Sequence, residues 1–104
     1  MGARVSIQFK KGNEKSVILF SHWGGKEFVE TAKSYVNLLK EDIEKEKYQS
    51  FPLGRLEPQT VMIDFIRELT SRYNGERVIS DLYLGVSDGD GDNSDFGNHI
   101  INLD

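Results

Sequence analysis

The chain lacks cysteine and contains only two prolines among its 104 residues. Without cysteine, neither a disulfide framework nor a thiolate zinc site can form, and nothing in the sequence indicates an oxidising compartment. The longest uninterrupted apolar run covers only residues 17–20, whereas a membrane-spanning helix needs about 20 apolar residues. The sequence therefore predicts one soluble, cytoplasmic domain, residues 1–104, with no membrane partner.

Positive charge is scarce in the C-terminal half, and no Lys or Arg follows Arg77. Residues 56–104 carry three basic and ten acidic side chains, whereas residues 1–55 carry ten basic and seven acidic ones. An acidic surface repels phosphate backbones and attracts cations or basic surfaces. This charge distribution counts against nucleic-acid binding.

Hydrophobic periodicity predicts the order ββααββ. Residues 4–9 alternate between polar and apolar side chains, and the Gly12–Asn13 pair suits a hairpin turn into the apolar residues 17–20, which are typical of a central strand. Amphipathic helices are expected over residues 26–47 and from Pro58 onward, followed by strands near residues 78–86 and 99–103. The fold class is therefore α+β, with a mostly antiparallel four-stranded sheet and both helices on one face.

The second face of this sheet is expected to carry an apolar patch. If both helices cover one face, the side chains that cluster on the other are Ile18, Phe20, Ile79 and Tyr83. An exposed apolar patch commonly marks a protein interface. The pattern therefore predicts a homodimer through the sheet face, or another protein partner there. The alternative is that the long helix or the middle loop folds over the patch.

An aspartate-rich stretch, SDGDGDNSDFGNH, separates the last two predicted strands. Carboxylates at alternate positions of a tight loop can surround Ca²⁺ or Mg²⁺. The candidate ligands are Asp88, Asp90, Asp92, Ser94 and Asp95. An EF-hand is excluded because His99 stands where that motif needs Glu and because strands flank the loop. Two interpretations stay open, a weak divalent-cation site without any required cofactor and a solvated hairpin loop.

The segment SHWGGK joins the central strand to the first helix. Free N–H groups at the start of a helix can hold an anion, and glycine permits close approach. A ligand or anion loop would consist of Ser21, His22, Trp23, Gly24, Gly25 and Lys26. The alternative is an ordinary strand-to-helix turn, since the spacing of a phosphate-binding P-loop is absent.

Catalytic patterns are weak. If the last strand lay beside the second one, His22 and His99 would converge with the loop aspartates and form the site of a small metal-dependent hydrolase. Asp64 and Glu68 are expected to be solvated on a polar helix face. The sequence favours a non-enzymatic binding or assembly domain, with this hydrolase as the alternative.

Residues 2–25 resemble the start of small, uncharacterised viral and prokaryotic proteins, in which strand, turn and strand lead into a His-Trp-x-Gly segment. The matching residues are Gly2, Arg4, Gly12, His22, Trp23 and Gly25. This sequence has Gly24 where those proteins often have an acidic residue, and it lacks the aromatic-Pro pair that often follows. The resemblance implies no activity, only that His22 and Trp23 matter as a pair.

Overall fold

The computed structural model describes residues 2–45, 53–71 and 81–104. Within these ranges the chain forms five strands and two helices. The strands are β1 (Val5–Lys11), β2 (Glu14–Lys15), β3 (Ile18–Ser21), β4 (Leu82–Gly85) and β5 (Asn98–Asn102), and the helices are α1 (Gly25–Glu44) and α2 (Pro58–Thr70). The α+β class is confirmed. β3 corresponds to the predicted second strand, whereas β2 lies within the segment that was predicted to form the preceding hairpin turn and is divided from β3.

Ser16 causes this division. Its backbone N–H donates to the Phe9 carbonyl oxygen at 2.9 Å, while its Oγ accepts the Phe9 N–H at 3.0 Å. Gln8 Nε2 then donates to the Ser16 carbonyl oxygen. The Ser16 hydroxyl thus takes the place of the Ser16 carbonyl oxygen as the acceptor of the Phe9 N–H, which interrupts the regular strand pairing. The displaced carbonyl oxygen is still satisfied, by Gln8.

The sheet has the order β5, β1, β3, β4, with β2 continuing the line of β3 along β1. β1 pairs antiparallel with β2 and β3, β3 pairs antiparallel with β4, and β5 pairs parallel with β1. The predicted central position of β3 is confirmed, and all four of its residues are buried. The last strand lies beside the first one. The hydrolase hypothesis required it to lie beside the second.

Both helices pack on one face of the sheet, as predicted. Phe65 of α2 contacts Phe9 of β1 edge to face, with ring centroids 5.6 Å apart. Phe28 and Tyr35 of α1 lie against the same Phe65 ring, at 6.3 and 5.0 Å. One aromatic side chain therefore joins the sheet to both helices.

The opposite face of the sheet is covered by residues 86–97, which corrects the expectation of an exposed patch. Ile18 and Phe20 are 3% and 0% exposed, and Tyr83 is half-buried with its ring stacked on Phe20 at 5.0 Å. Asn93 Nδ2 donates across the face to Ser6 Oγ at 2.8 Å. Ile18 and Phe20 are thus unavailable to a partner, and Ile79 lies outside the described residues.

The end of the predicted first helix at Lys47 and the start of the predicted strand at residues 78–80 also lie outside the described ranges. Neither described helix combines the length and apolar character needed to cross a bilayer.

Truncating Phe65 tests the aromatic contacts between sheet and helices. Because its ring is 1% exposed, Phe65→Ala should lower the free energy of unfolding by about 3–5 kcal/mol, measured by urea denaturation. The control is Ile63→Ala on the same helix, where the side chain is 69% exposed and the change should stay within about 0.5 kcal/mol. Equal effects of the two substitutions would contradict this packing.

Candidate functional site

The aspartate-rich loop is organised by its own hydrogen bonds. The Asp90 carboxylate accepts the backbone N–H groups of Val86 and Ser87, at 2.7 and 2.9 Å. These bonds enclose a short 3-10 turn, Asp88–Asp90. The Ser87 side chain accepts a hydrogen bond from the Asp90 backbone N–H, and the Asp90 side chain accepts one from the Ser87 backbone N–H. Stabilising the ionised carboxylate in this way lowers the pKa of Asp90.

The other loop aspartates are held by Arg4 and Asn93. Asp95 Oδ2 accepts the Arg4 backbone N–H at 2.9 Å, and Asp92 Oδ2 lies 3.3 Å from Arg4 Nε. Asp92 also accepts the N–H of Ser94, the largest cause of its lowered pKa. Asp88 accepts a hydrogen bond from Asn93 Nδ2. Each of these carboxylates therefore serves the loop internally.

Metal binding by this loop stays a prediction. In the part of the chain that the structure describes, no three or more His, Asp or Glu side chains form a group that could hold a metal ion. Asp88, Asp90, Asp92 and Asp95 each accept a hydrogen bond within the chain, whereas a cation site needs oxygen ligands that face one point.

The turn at residues 21–26 already holds a carboxylate, that of Asp81. The Asp81 carboxylate accepts hydrogen bonds from the Trp23 N–H at 2.9 Å and from the Ser21 hydroxyl at 2.8 Å. The Asp81 backbone carbonyl oxygen accepts the His22 N–H. Two further amides are also used, because Gly24 N–H donates to Ser21 Oγ and Gly25 N–H donates to the Ala3 carbonyl. The amides of residues 22–25, on which the predicted anion loop depends, are thus engaged within the chain.

Both glycines of this turn are required by its geometry. A Cβ at position 24 would lie 2.6 Å from Phe28 Cβ, and Gly25 has φ +57°, a left-handed conformation that favours glycine. Trp23 is 67% exposed and Lys26 is exposed as well. The geometry of the turn therefore explains why both positions are glycine, without a bound ligand.

The two histidines lie on opposite faces of the sheet. His22 follows β3 on the loop-covered face, with its ring 4.9 Å from that of Tyr83. His99 pairs in register with Ile7, whose side chain faces the helices, and its Nε2 contacts the Phe96 carbonyl oxygen at 2.8 Å. The structure therefore does not bring together the His22 and His99 pair of the hydrolase hypothesis.

A groove that the sequence did not predict lies between α1 and α2. Its volume is about 570 Å³, within the range of ligand sites. Its apolar floor comprises Tyr35, Leu38, Leu39 and Leu53, and its acidic rim comprises Glu27, Glu30, Asp42, Asp64 and Glu68. Thr31, Ser34 and Arg67 complete the lining.

Tyr35 bridges the groove from one helix to the other. Its hydroxyl donates to Asp64 Oδ2 at 2.8 Å, and Arg67 Nε donates to Asp64 Oδ1 at 3.0 Å. Burial and the Asp64 carboxylate both raise the pKa of Tyr35. Asp64 was expected to be solvated, but it is half-buried and joins the two helices.

The sequence contains a signal for this groove. Thr31, Ser34 and Leu38 follow helical spacing beside the buried stripe of α1. An apolar residue outside the buried stripe of an amphipathic helix is exposed unless another element covers it. Leu38 accordingly is 62% exposed, although both neighbouring turns of α1 are anchored in the core.

Gly91 should be needed for the loop to lie on Phe20 and Tyr83. A Cβ there would lie 2.6 Å from the Tyr83 ring and 2.7 Å from the Phe20 ring. Gly91→Ala should therefore lower the free energy of unfolding by about 1–3 kcal/mol in urea denaturation. The control is Gly89→Ala in the same loop, where an added Cβ meets nothing within 4 Å. If both variants unfold alike, the loop does not cover this face.

The loop should also respond to acid through Asp90. Its folded-state pKa lies below the ordinary value of 3.8, so its contribution to stability is complete above that value and is lost as the pH falls through the folded pKa. In an NMR pH titration, the Val86 and Ser87 amide resonances should shift with a midpoint below 3.8. Asp90→Asn should abolish this transition, and a wild-type midpoint at or above the ordinary value would contradict the assignment.

Comparisons with known proteins return no matching family model, no matching curated protein and no matching solved structure. The resemblance of residues 2–25 therefore stays a prediction, and the groove between α1 and α2 is a candidate site on its geometry alone.

Proposed function

We propose that this chain is a non-enzymatic binding domain that holds a polypeptide segment of a partner protein in the groove between α1 and α2. The observation that carries the proposal is an open groove of about 570 Å³ in which Leu38 is 62% exposed among carboxylates. An apolar centre with a polar rim is the usual anatomy of a protein interface.

The length of the groove favours a polypeptide over a compact ligand. Its lining on α1 extends from Glu27 to Asp42, which corresponds to about 22 Å along the helix axis. An extended segment of about seven residues spans that distance. The groove is also open along its side, as it must be to admit a chain without unfolding.

The position of the site on rigid elements supports the same function. Leu39 and Val36 anchor α1 in the core at 5% and 4% exposure, and Phe65 anchors α2 at 1%. Tyr35 then links the two walls through Asp64. A groove whose walls are anchored in this way is preformed, which reduces the entropic cost of binding.

The test is selection of a random peptide library on the immobilised wild-type chain, followed by affinity measurement on two variants. Leu38→Ser removes the exposed apolar contact in the groove, and Ile63→Ser removes a side chain of similar exposure, 69%, on the outer face of α2. Selected peptides should bind Leu38→Ser at least about tenfold more weakly, because the contact loses about 1.5–3 kcal/mol of burial.

Binding to Ile63→Ser should be unchanged. Amide shifts on peptide addition should map to α1 and α2 in the wild-type chain. Failure to select any peptide, or peptides that bind both serine variants equally well, would contradict the proposed function.

A further inference from the structure

Among the described residues, the lining of the groove carries more negative than positive charge. Five carboxylates and one guanidinium line it, and the guanidinium belongs to Arg67. Arg67 Nε lies 3.0 Å from Asp64 Oδ1, and its Nη2 lies 3.9 Å from Glu68 Oε2. The single cation of the lining is therefore already paired with the two carboxylates of α2.

The three carboxylates of α1 differ from those of α2. Within the described residues, Glu27, Glu30 and Asp42 have no hydrogen-bond or ion-pair partner within 4 Å. They follow one side of the groove, with Leu38 between Glu30 and Asp42 in sequence. One wall thus offers unpaired negative charge on both sides of an exposed apolar side chain.

Resting on the proposed function, we propose that the segment held in this groove is cationic, with Lys or Arg side chains on either side of an apolar residue. The apolar residue packs on Leu38 and Tyr35, and the basic side chains reach Glu27, Glu30 and Asp42. Complementary charge accelerates encounter and excludes wrong partners, because like charges brought together are repelled. An acidic segment or a phosphate backbone is rejected for the same reason.

Among the described residues that line the groove, Arg67 is the one basic side chain, which strengthens this assignment. A neutral apolar segment would bury Leu38 but would also desolvate three carboxylates without giving them a partner, which is costly. A basic segment supplies those partners while burying the same apolar surface. The long alkyl parts of Lys and Arg can in addition cover apolar groove surface.

The experiment uses three synthetic peptides of about seven residues, the length that matches the groove. Each has a central Leu, with Lys, Ser or Glu at the second residue before and after it and Gly elsewhere, so that these side chains share the face of the Leu in an extended segment. Their affinities for the wild-type chain are measured by isothermal titration calorimetry. The Lys peptide should bind at least about tenfold more tightly than the others, and its affinity should fall as ionic strength rises.

Two charge-reversal variants locate the effect. Glu30→Lys changes a carboxylate in the groove, whereas Glu41→Lys makes the same change on α1 at an exposed residue outside the groove lining. The Lys peptide should bind Glu30→Lys about fivefold more weakly and Glu41→Lys as tightly as it binds the wild-type chain. Equal weakening by both variants would overturn the inference, because it would show general attraction to an acidic protein.

The outcomes separate the two proposals. If the Ser or Glu peptide binds as tightly as the Lys peptide and depends on Leu38, the cationic segment is wrong and the groove remains a binding site. If the random library yields peptides that bind in the groove but the Lys peptide does not bind, the cationic segment is likewise wrong. If neither the library nor these peptides bind, the proposed function itself is wrong. A dimer in light scattering that Leu38→Ser dissociates would mean that a second copy occupies the groove, which overturns the inference.

Discussion

The packing of Phe65 against Phe9 is the contact on which the rest of the structure depends. The two rings meet edge to face at 5.6 Å, and Phe28 and Tyr35 of α1 also lie against Phe65. A chain of this size buries a modest core, so a single aromatic side chain that contacts the sheet and both helices accounts for much of its organisation. The same contact sets the separation of α1 and α2, because Tyr35 must reach both the Phe65 ring and the Asp64 carboxylate. The groove is therefore a consequence of how the core is packed.

The face of the sheet opposite the helices carries a second aromatic contact. Phe20 and Tyr83 form a stacked pair that would be an apolar surface if it were left open. Residues 86–97 cover it with a loop in which Gly91 permits close approach to the rings and the aspartates bind loop amides and Arg4. The same residues that suggest a cation site in sequence thus act as acceptors within a loop that completes the fold. Carboxylates in this role stay ionised and solvated on one side, which avoids the cost of burying them.

The covering of both faces of the sheet explains why the proposed binding site lies between the helices. The sheet is covered on both sides across its centre, by helices on one face and by the loop on the other. The strand-to-helix turn at residues 21–25 is likewise occupied, by the carboxylate of Asp81. The α1 and α2 groove differs because its walls are anchored in the core while Leu38 and three of its carboxylates are without a partner among the described residues. Apolar surface beside unpaired charge is the combination that a cationic polypeptide complements.

The sequence by itself determined the elements and their buried faces, because periodicity depends only on local geometry. Apolar spacing located α1, α2 and the central β3, and Pro58 marked the start of α2. Only the tertiary structure decided the position of β5 beside β1, the covering of Phe20 by residues 86–97, the separation of His22 from His99, and the groove itself. Each of these depends on contacts between residues far apart in the chain. The aspartate pattern at residues 88–95 fits either a metal site or carboxylates that accept hydrogen bonds within the chain. The spacing of the aspartates does not reveal that Arg4 and Asn93 donate to them, because that depends on the folded structure.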